Sequence, residues 1–456
     1  MYIQLYQLHG LIRSKGLELG RDEDTGGQII YIIELARALA KCTAVSRVEI
    51  VTRLFKDEDY AGYSAPIEPI NAKVNIVRVP CGPSRYMKKV ELWKHLDEFY
   101  ENIHYYIKTD EQQPDVLHSN YYDSGYVCNK LSKECNIPHI FSAHSLGKPK
   151  LAEIKASFAY RDDIYNFYNF NARIETEQEI IKQADALTIF CEQESKDQFA
   201  QYEVDPEDPR FKIINPGVNS EKFRPYWVKK PSPDQNDDIN HKLKKKIEDG
   251  LKEPDKPCIF MLSRLEAKKN ISNMVECYVD DKELQDAANL IICAGKIKDR
   301  AKLTPPQLEV LHHIEKLIDF SNTHDKVLLL DELDYETEVP EFYRIVGRKC
   351  GIFVDCDITD PLPLTVIEAA LSGIPVVAHH TCALLSVISK GKSELLINVK
   401  KHHLLSRAIL KLLKDRELWL HCSKAGVECI LNELTWEIMA DKVLKVYQEV
   451  VNNYKK

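Results

Sequence analysis

Glycine is scarce in this sequence: 17 residues in 456, about half of the usual ~7% share. That excludes Gly-rich linkers, collagen-like repeats and Gly-based low complexity. It also makes glycine clusters informative, and five of the 17 fall within the first 27 residues. An excess of basic charge is missing too. The 62 Lys and Arg against 70 Asp and Glu leave a net charge of -8, which argues against a chain built to hold nucleic acid or an anionic membrane. No apolar run approaches the ~18 residues of a membrane span, and the opening Met1–Tyr6 reads as a strand rather than a signal segment. A cytoplasmic location is the expectation. The 13 cysteines form no C-x-x-C pair and no zinc-like spacing with histidine. Cys191, Cys258, Cys293 and Cys350 read as reduced, buried thiols, and no metal site is expected. His379–His380 and His402–His403 lack further ligands at suitable spacing and read as loop or surface residues.

What is present is an alternation. Apolar strand candidates at Ile3–Leu8, Val48–Thr52, Val74–Pro80, Val116–Ser119 and His139–Ala143 are interleaved with helical patterns at Ile29–Lys41, Val90–Lys108 and Gly125–Cys135. The pattern restarts with strands at Cys258–Leu262, Leu290–Ala294, Val327–Leu330, Gly351–Val354 and Val376–Ala378, and helices at Ile271–Val279, Leu364–Leu371 and Leu404–Lys414. Such alternation indicates βαβ units on a parallel sheet, and the length suggests two or three domains. Between the halves, Pro225–Pro257 is rich in Lys, Asp and Pro and reads as a domain connection or a surface excursion, with a charged helix at His241–Leu251. The two halves read as two similar doubly wound α/β domains, and a last amphipathic segment, Trp436–Val451, closes the chain.

Gly20-Arg-Asp-Glu-Asp-Thr-Gly-Gly-Gln28 follows a strand and opens a helix. Gly26 and Gly27 allow close backbone approach of a ligand, and the helix start favours a phosphate. A tight turn near a capping Asp24 or Thr25 is the plainer reading of the same residues. The stretch is neither G-x-G-x-x-G nor a P-loop. His144 sits just past a strand, where ligands meet the carboxyl edge of a parallel sheet.

With Tyr31-Ile-Ile-Glu-Leu-Ala-Arg-Ala-Leu39 and Leu8-His-Gly-Leu-Ile-Arg13, this stretch resembles the sucrose-phosphate synthase and sucrose synthase branch of the retaining GT-B glycosyltransferases of family four. The resemblance continues in order along nearly the whole chain. His118-Ser-Asn-Tyr-Tyr-Asp-Ser-Gly125 is similar to the family's His-Gly-His-Tyr-Ala-Asp-Ala-Gly, with Asn120 at the second His. Ala143-His-Ser-Leu-Gly-Lys-Pro-Lys150 and Tyr86-Met-Lys-Lys-Val-Glu-Leu-Trp93 match further segments, as do Leu262-Ser-Arg-Leu-Glu-Ala-Lys-Lys-Asn270 and Asp360-Pro-Leu-Pro-Leu-Thr-Val-Ile-Glu368.

The resemblance implies an α/β fold of GT-B architecture, two doubly wound Rossmann-like domains with the active site in the cleft between them. It implies retaining transfer of glucose from UDP-glucose to fructose 6-phosphate, giving sucrose 6-phosphate, by front-face substitution and without a cofactor or metal. Lys89, Tyr121, Ser145, Lys150 and Arg173 fall on the acceptor-phosphate ligands. Arg264 and Lys269 fall on the residues that pair with the nucleotide diphosphate, and Glu368 on the ribose contact. His144 and Asp360 fall on residues that orient the transferred sugar, and Gly26, Gly27, Leu364 and Thr365 on the donor loops. The partners implied are small-molecule substrates only, and the oligomeric state is left open.

The chain departs from the pattern in places. Asp360 replaces a Glu and reaches about 1.5 Å less far. Pro363 replaces a Gly and removes an amide donor. His379-His-Thr-Cys-Ala-Leu384 stands where relatives carry a Gly-Gly pair, and Asn171 where they often carry an Arg. Two alternatives stay open: a related transferase with another donor, such as GDP-mannose, or another acceptor, and a catalytically weakened nucleotide-sugar-binding homologue. Asn215-Pro-Gly-Val-Asn219 resembles the family's interdomain hinge, and Thr435-Trp436 the start of its closing helix. The resemblance thus implies an N-terminal Rossmann-like domain over 1–217, a C-terminal one over 218–435, and a closing segment 436–456 that crosses back to the first.

Overall fold

Short runs of Val, Ile and Leu become strands that are buried on both faces, the arrangement parallel sheets require. The computed structural model describes residues 1–22, 24–156, 168–229, 236–358, 363–379 and 396–454. The chain divides into two units, Met1–Gly217 with Trp436–Lys456, and Val218–Thr435.

The first unit carries an eight-stranded sheet of β1 (Tyr2–Tyr6), β2 (Arg47–Leu54), β3 (Ile67–Pro69), β4 (Val74–Pro80), β5 (Val116–Asn120), β6 (His139–Ser142), β7 (Ala186–Ile189) and β8 (Phe211–Ile213). Its order is β3-β4-β2-β1-β5-β6-β7-β8. Every pairing is parallel except β3 with β4. The chain builds outward from β1 on one side and then from β5 on the other, so the switch point, where such sheets bind ligands, lies between the carboxyl ends of β1 and β5. Ile29, Ile32, Ile33, Ala36 and Leu39 of the helix Gly27–Lys41 form one core with Trp436, Met439, Ala440, Val443 and Tyr447 of the last helix, Trp436–Tyr454. Gly217, where the chain leaves this unit, packs so closely that a Cβ would lie 2.6 Å from the Trp436 backbone.

The second unit has a parallel sheet of β9 (Cys258–Leu262), β10 (Asn289–Cys293), β11 (Val327–Leu330), β12 (Ile352–Asp355), β13 (Val376–His379) and β14 (Leu396–Ile397), ordered β11-β10-β9-β12-β13-β14. Its switch point lies between β9 and β12.

Several expectations change. The single helix expected over Val90–Lys108 is broken into Lys89–Leu92, a 3-10 turn Trp93–His95 and a helix Leu96–Thr109. The break lets the His95 ring pack on Gly82, where a Cβ would come within 2.7 Å. It also sets Trp93 edge-on to Tyr122 at 5.3 Å. The polar stretch before Pro257 is an integral element rather than an excursion. Its helix Asn236–Gly250 buries Leu243 and Ile247, while Asn240 and Lys242 bond Glu341 and Glu338 on the helix Glu338–Arg348. His379 closes β13 as a buried strand residue, not a loop residue, and His380 lies outside the described residues. Burial pushes the thiols of Cys258 and Cys293 up to about 12, whereas Cys191 and Cys350 are only half-buried. Among the described residues no helix is long and apolar enough to cross a membrane, and no group of three or more His, Cys, Asp or Glu side chains could hold a metal ion.

The last helix is tied to the first sheet by a buried polar chain. The Tyr447 hydroxyl lies 2.6 Å from His118 Nδ1, and His118 Nε2 lies 2.7 Å from Ser142 Oγ. His118 is fully buried, and burial holds its imidazole down to about 3. Tyr447→Phe strands a buried ring nitrogen. It is expected to cost about 1–3 kcal/mol, read as a lowered urea-denaturation midpoint with an unchanged far-UV spectrum.

Candidate functional site

In the first unit the side chains named by the sequence gather at the carboxyl ends of β1, β5 and β6. His144 follows β6 with a left-handed φ of +52°. Its ring sits edge-on to Tyr31 at 5.0 Å and tilted against Tyr121 at 4.9 Å. Asn120, the last residue of β5, donates from Nδ2 to the Tyr6 carbonyl at 3.1 Å, so its Oδ1 faces His144 Nε2 at 2.7 Å. Burial, and then the nearby His118, Lys89 and His9, hold His144 down to about 3. A neutral imidazole facing a carbonyl oxygen must carry its proton on Nε2. His144 therefore presents a lone pair at Nδ1.

Beside it is a concentration of positive charge. The Lys89 ammonium lies 4.1 Å from the Tyr121 ring centroid and 4.9 Å from that of Tyr122. The Arg173 guanidinium packs on the same Tyr122 ring at 4.8 Å. Arg173 is buried. It donates from Nε to Glu177 at 2.8 Å and from Nη2 to the Ser145 carbonyl at 2.8 Å, with Ser145 Oγ at 3.4 Å. Gly147 makes this possible, because a Cβ there would meet Glu177 at 2.9 Å and Arg173 at 3.3 Å. The Lys150 ammonium lies 4.1 Å from the Tyr168 ring centroid. Burial lowers Lys89 to about 7, and the charges of Arg173 and Lys150 push the same way. The structure thus brings Lys89, Tyr121, Ser145, Arg173 and His144 together, with Lys150 coupled through its charge.

Gly26 is the N-cap of the helix that Gly27 opens, with no side-chain cap bond. Neither Asp24 nor Thr25 caps that helix. Asp24 Oδ2 instead accepts the Lys89 amide at 2.7 Å, and Thr25 Oγ1 accepts the Leu11 amide at 3.2 Å. The glycine loop is thereby fastened to the cation cluster. Sequence reasoning passed over His9 and Asp123, which form a buried pair at 2.6 Å with the His9 ring edge-on to Tyr121 at 4.7 Å. Burial works to raise Asp123, but His9 and then Lys89 hold it below the usual carboxylate range.

In the second unit, Arg264 and Lys269 lie in the turn after β9. Arg264 is half exposed and pairs with Glu266 at 3.0 Å. The Lys269 ammonium lies 2.6 Å from Asp357 Oδ2, just past β12, with the two side chains 18% and 1% exposed. Glu368 is buried on the helix Leu364–Leu371. Its Oε1 accepts the Tyr335 hydroxyl at 2.6 Å, while its Oε2 is buried with no hydrogen-bond partner among the described residues. Burial pushes Glu368 up to about 7, against the bond from Tyr335 and the charge of Lys222. Pro363 is the N-cap of that helix at φ -68°, and its carbonyl accepts the Val366 amide at 3.1 Å. Leu364 and Thr365 form the first turn, whose amides an α-helix leaves without an intrahelical acceptor. Asp360, Cys382 and Ala383 lie outside the described residues. Tyr335 and Asp357 carry no local sequence signal, since each acts through a partner far along the chain.

Two family models match the chain: the sucrose synthase first GT-B domain over residues 1–251 and the glycosyl transferases group 1 over residues 243–428. A probable sucrose-phosphate synthase 1 from Oryza sativa subsp. indica is 32% identical over 94% of this chain and 44% of its own length. The sucrose-phosphate synthase 4 of Arabidopsis thaliana is 29% identical over 96% of this chain and 46% of its own. The chain thus spans about half the length of the curated relatives it matches. Among solved structures, a sucrose-phosphate synthase from Thermosynechococcus elongatus matches with a TM-score of 0.74 at 23% identity over 99% of both chains. The catalytic domain of Arabidopsis thaliana starch synthase IV, bound to ADP and acarbose, matches with a TM-score of 0.67 at 14% identity over 99% of both. These likenesses establish the GT-B fold.

Glu368 yields a prediction of definite sign. Its folded value of about 7 stands above the ordinary 4.5. The protonated form is therefore favoured by folding, and this group's contribution to stability is present below ~4.5 and lost as pH rises through about 7. Tyr335→Phe removes a donor to the carboxylate, so the titration moves to higher pH. Carbon-13 NMR of the glutamate carboxyl groups checks this, and a midpoint at or below the wild-type value contradicts it.

Proposed function

We infer the reaction from one premise: this chain belongs to the family of the sucrose synthase first GT-B domain, whose model covers more than half of it. We propose that it transfers glucose from UDP-glucose to fructose 6-phosphate with retention, giving sucrose 6-phosphate and UDP. The names of its relatives support these substrates. The observation that carries the acceptor assignment is the cation cluster. Lys89 is lowered to about 7 by burial together with the charges of Arg173 and Lys150, and such a cluster is stabilised by a dianion.

The acceptor phosphate takes charge-assisted hydrogen bonds from Lys89, Lys150 and Arg173, with Tyr121 and Ser145 supplying hydroxyl donors. The bonds from Arg173 Nε to Glu177 and from Nη2 to the Ser145 carbonyl fix the guanidinium, and Nη1 is the group that turns to the anion. His144 accepts a sugar hydroxyl at Nδ1. Gly26 and Gly27 let the loop backbone of the first unit approach the donor closely. On the donor side, Glu368 Oε2 accepts a ribose hydroxyl, which relieves its unpartnered burial, and Leu364 and Thr365 offer helix-start amides. Arg264 and Lys269 neutralise the departing diphosphate, and Asp360 orients the transferred glucose. The anomeric C–O bond to phosphate breaks on the face where the acceptor oxygen attaches, and the acceptor proton passes to a phosphate oxygen of the leaving UDP. No cofactor enters this scheme, since arginine and lysine supply the charge.

The test is a screen of nucleotide sugars against sugar phosphates with product identification. Fructose 6-phosphate is expected to accelerate UDP release from UDP-glucose and to yield a disaccharide phosphate. UDP binding without turnover on any pair would favour the nucleotide-binding alternative. Lys150→Ala and Lys89→Met are each expected to raise the acceptor KM about tenfold, the effect of ~1.4 kcal/mol, and to leave the donor KM nearly unchanged. Acceptor affinity is also expected to fall as pH rises above about 7, because Lys89 then loses its charge. That limb should vanish in Lys89→Met.

A further inference from the structure

We propose that Asp357 is a product-discriminating residue: its carboxylate, paired with Lys269, weakens binding of the free nucleoside diphosphate more than that of the nucleotide sugar. The inference rests on the donor reading of Lys269. The two residues flank the switch point of the second sheet, Lys269 after β9 and Asp357 after β12. Their charged atoms are 2.6 Å apart, and the Asp357 side chain is 1% exposed. Water cannot screen a carboxylate so placed, and a neighbouring charge acts on it at the low effective dielectric of the interior. The Arg264–Glu266 pair in the same turn is 44% and 28% exposed, so solvent screens Glu266 and its influence is small.

A diphosphate drawn to the Lys269 ammonium therefore meets a buried negative charge already seated there. The anion must displace Asp357 from the ammonium or share it, and in either case two negative charges are forced together. The penalty grows with the charge of the ligand. UDP ends in a phosphate monoester whose second ionisation lies near ~6, so at neutral pH it carries one negative charge more than UDP-glucose, in which that oxygen is esterified. Asp357 thus opposes retention of the product more strongly than capture of the donor. This is a useful bias in enzymes whose turnover is limited by product release.

The experiment is calorimetric titration of the whole chain with UDP and with UDP-glucose at pH 7.5, for wild type, Asp357→Asn, Asp357→Ser, Glu266→Gln and Lys269→Ala. The two substitutions at Asp357 guard against one failing to fold. UDP is expected to bind roughly tenfold tighter to the Asp357 variants and UDP-glucose no more than about threefold tighter. Glu266→Gln should shift both by less than about twofold. A loss of UDP affinity in the Asp357 variants, no change, or an equal gain for both ligands overturns the proposal. Lys269→Ala separates this from the reading beneath it. If Lys269→Ala binds UDP as tightly as wild type, the donor assignment of Lys269 fails and the proposal falls with it. If Lys269→Ala loses UDP but the Asp357 variants show no preferential gain, only the role of Asp357 fails.

Discussion

Two reversals of strand order fix where chemistry can sit in this chain. In a parallel sheet every strand delivers its next loop to the same edge, and only where neighbouring crossovers run to opposite sides does that edge open into a crevice. In the first unit the opening lies between β1 and β5, and His9, Asn120 and Tyr121 line its two sides. In the second it lies between β9 and β12, with Lys269 and Asp357 across it. His9 and Asp123, 114 positions apart, and Lys269 and Asp357, far apart in sequence as well, are thereby brought within hydrogen-bond distance. The helices that start at the same edge turn their amide ends toward it.

The two units treat charge at these crevices in opposite ways. In the first, the buried guanidinium of Arg173 is balanced by Glu177, which also accepts the Gly147 amide at 2.7 Å and the Tyr202 hydroxyl. A buried pair with its hydrogen bonds satisfied is locked in orientation. The charge of Arg173 still reaches Lys89, which is lowered to about 7. Asp123 and Asp24 oppose that effect without cancelling it. In the second unit the cations of the turn after β9 carry carboxylate partners of their own, and it is a carboxyl group, Glu368, that keeps a buried oxygen without a partner among the described residues. The first crevice thus carries unbalanced positive charge, while the second pairs its cations and buries a carboxyl group.

Legibility from sequence followed the range of the interactions involved. Strands such as β1, β5 and β9 and the helix Gly27–Lys41 were readable because apolar spacing is local; His144 and Lys89 stand in short patterns, whereas Arg173 came from the resemblance alone. Strands β7 and β8 were not. β7 interrupts its apolar residues with Thr188, and β8 has three residues, Phe211–Ile213, none of them fully buried, so neither stands out as an apolar run. The helix Phe170–Gln183, which carries Arg173, has a polar sequence whose buried positions include Glu177, so its inner face reads as an outer one. Tyr335 was invisible for another reason: its role is defined by Glu368, 33 positions on, and Asp357 likewise by Lys269. The broken helix at Trp93–His95 depends on Gly82 and Tyr122, contacts that no window of the sequence contains.

The scarcity of glycine has its structural counterpart here. A left-handed backbone conformation is easy for glycine and costs other residues of order 1–2 kcal/mol. Yet Tyr121 at φ +65°, His144 at +52° and Asn270 at +53° all adopt it, the first two at the crevice of the first unit and the third directly after Lys269. A bulky residue holds such a conformation only where its surroundings over-determine it. For His144 those surroundings are the rings of Tyr31, Tyr121 and Phe190 and the Asn120 bond. For Tyr121 they are His9, His144 and the Lys89 ammonium. The strain and the contacts that offset it involve the same side chains. Orientation of His144 and Tyr121 is therefore built into the folded state before any ligand arrives, which lowers the entropy lost when a substrate is aligned. A glycine at either position would remove the strain together with the ring or imidazole that the crevice presents.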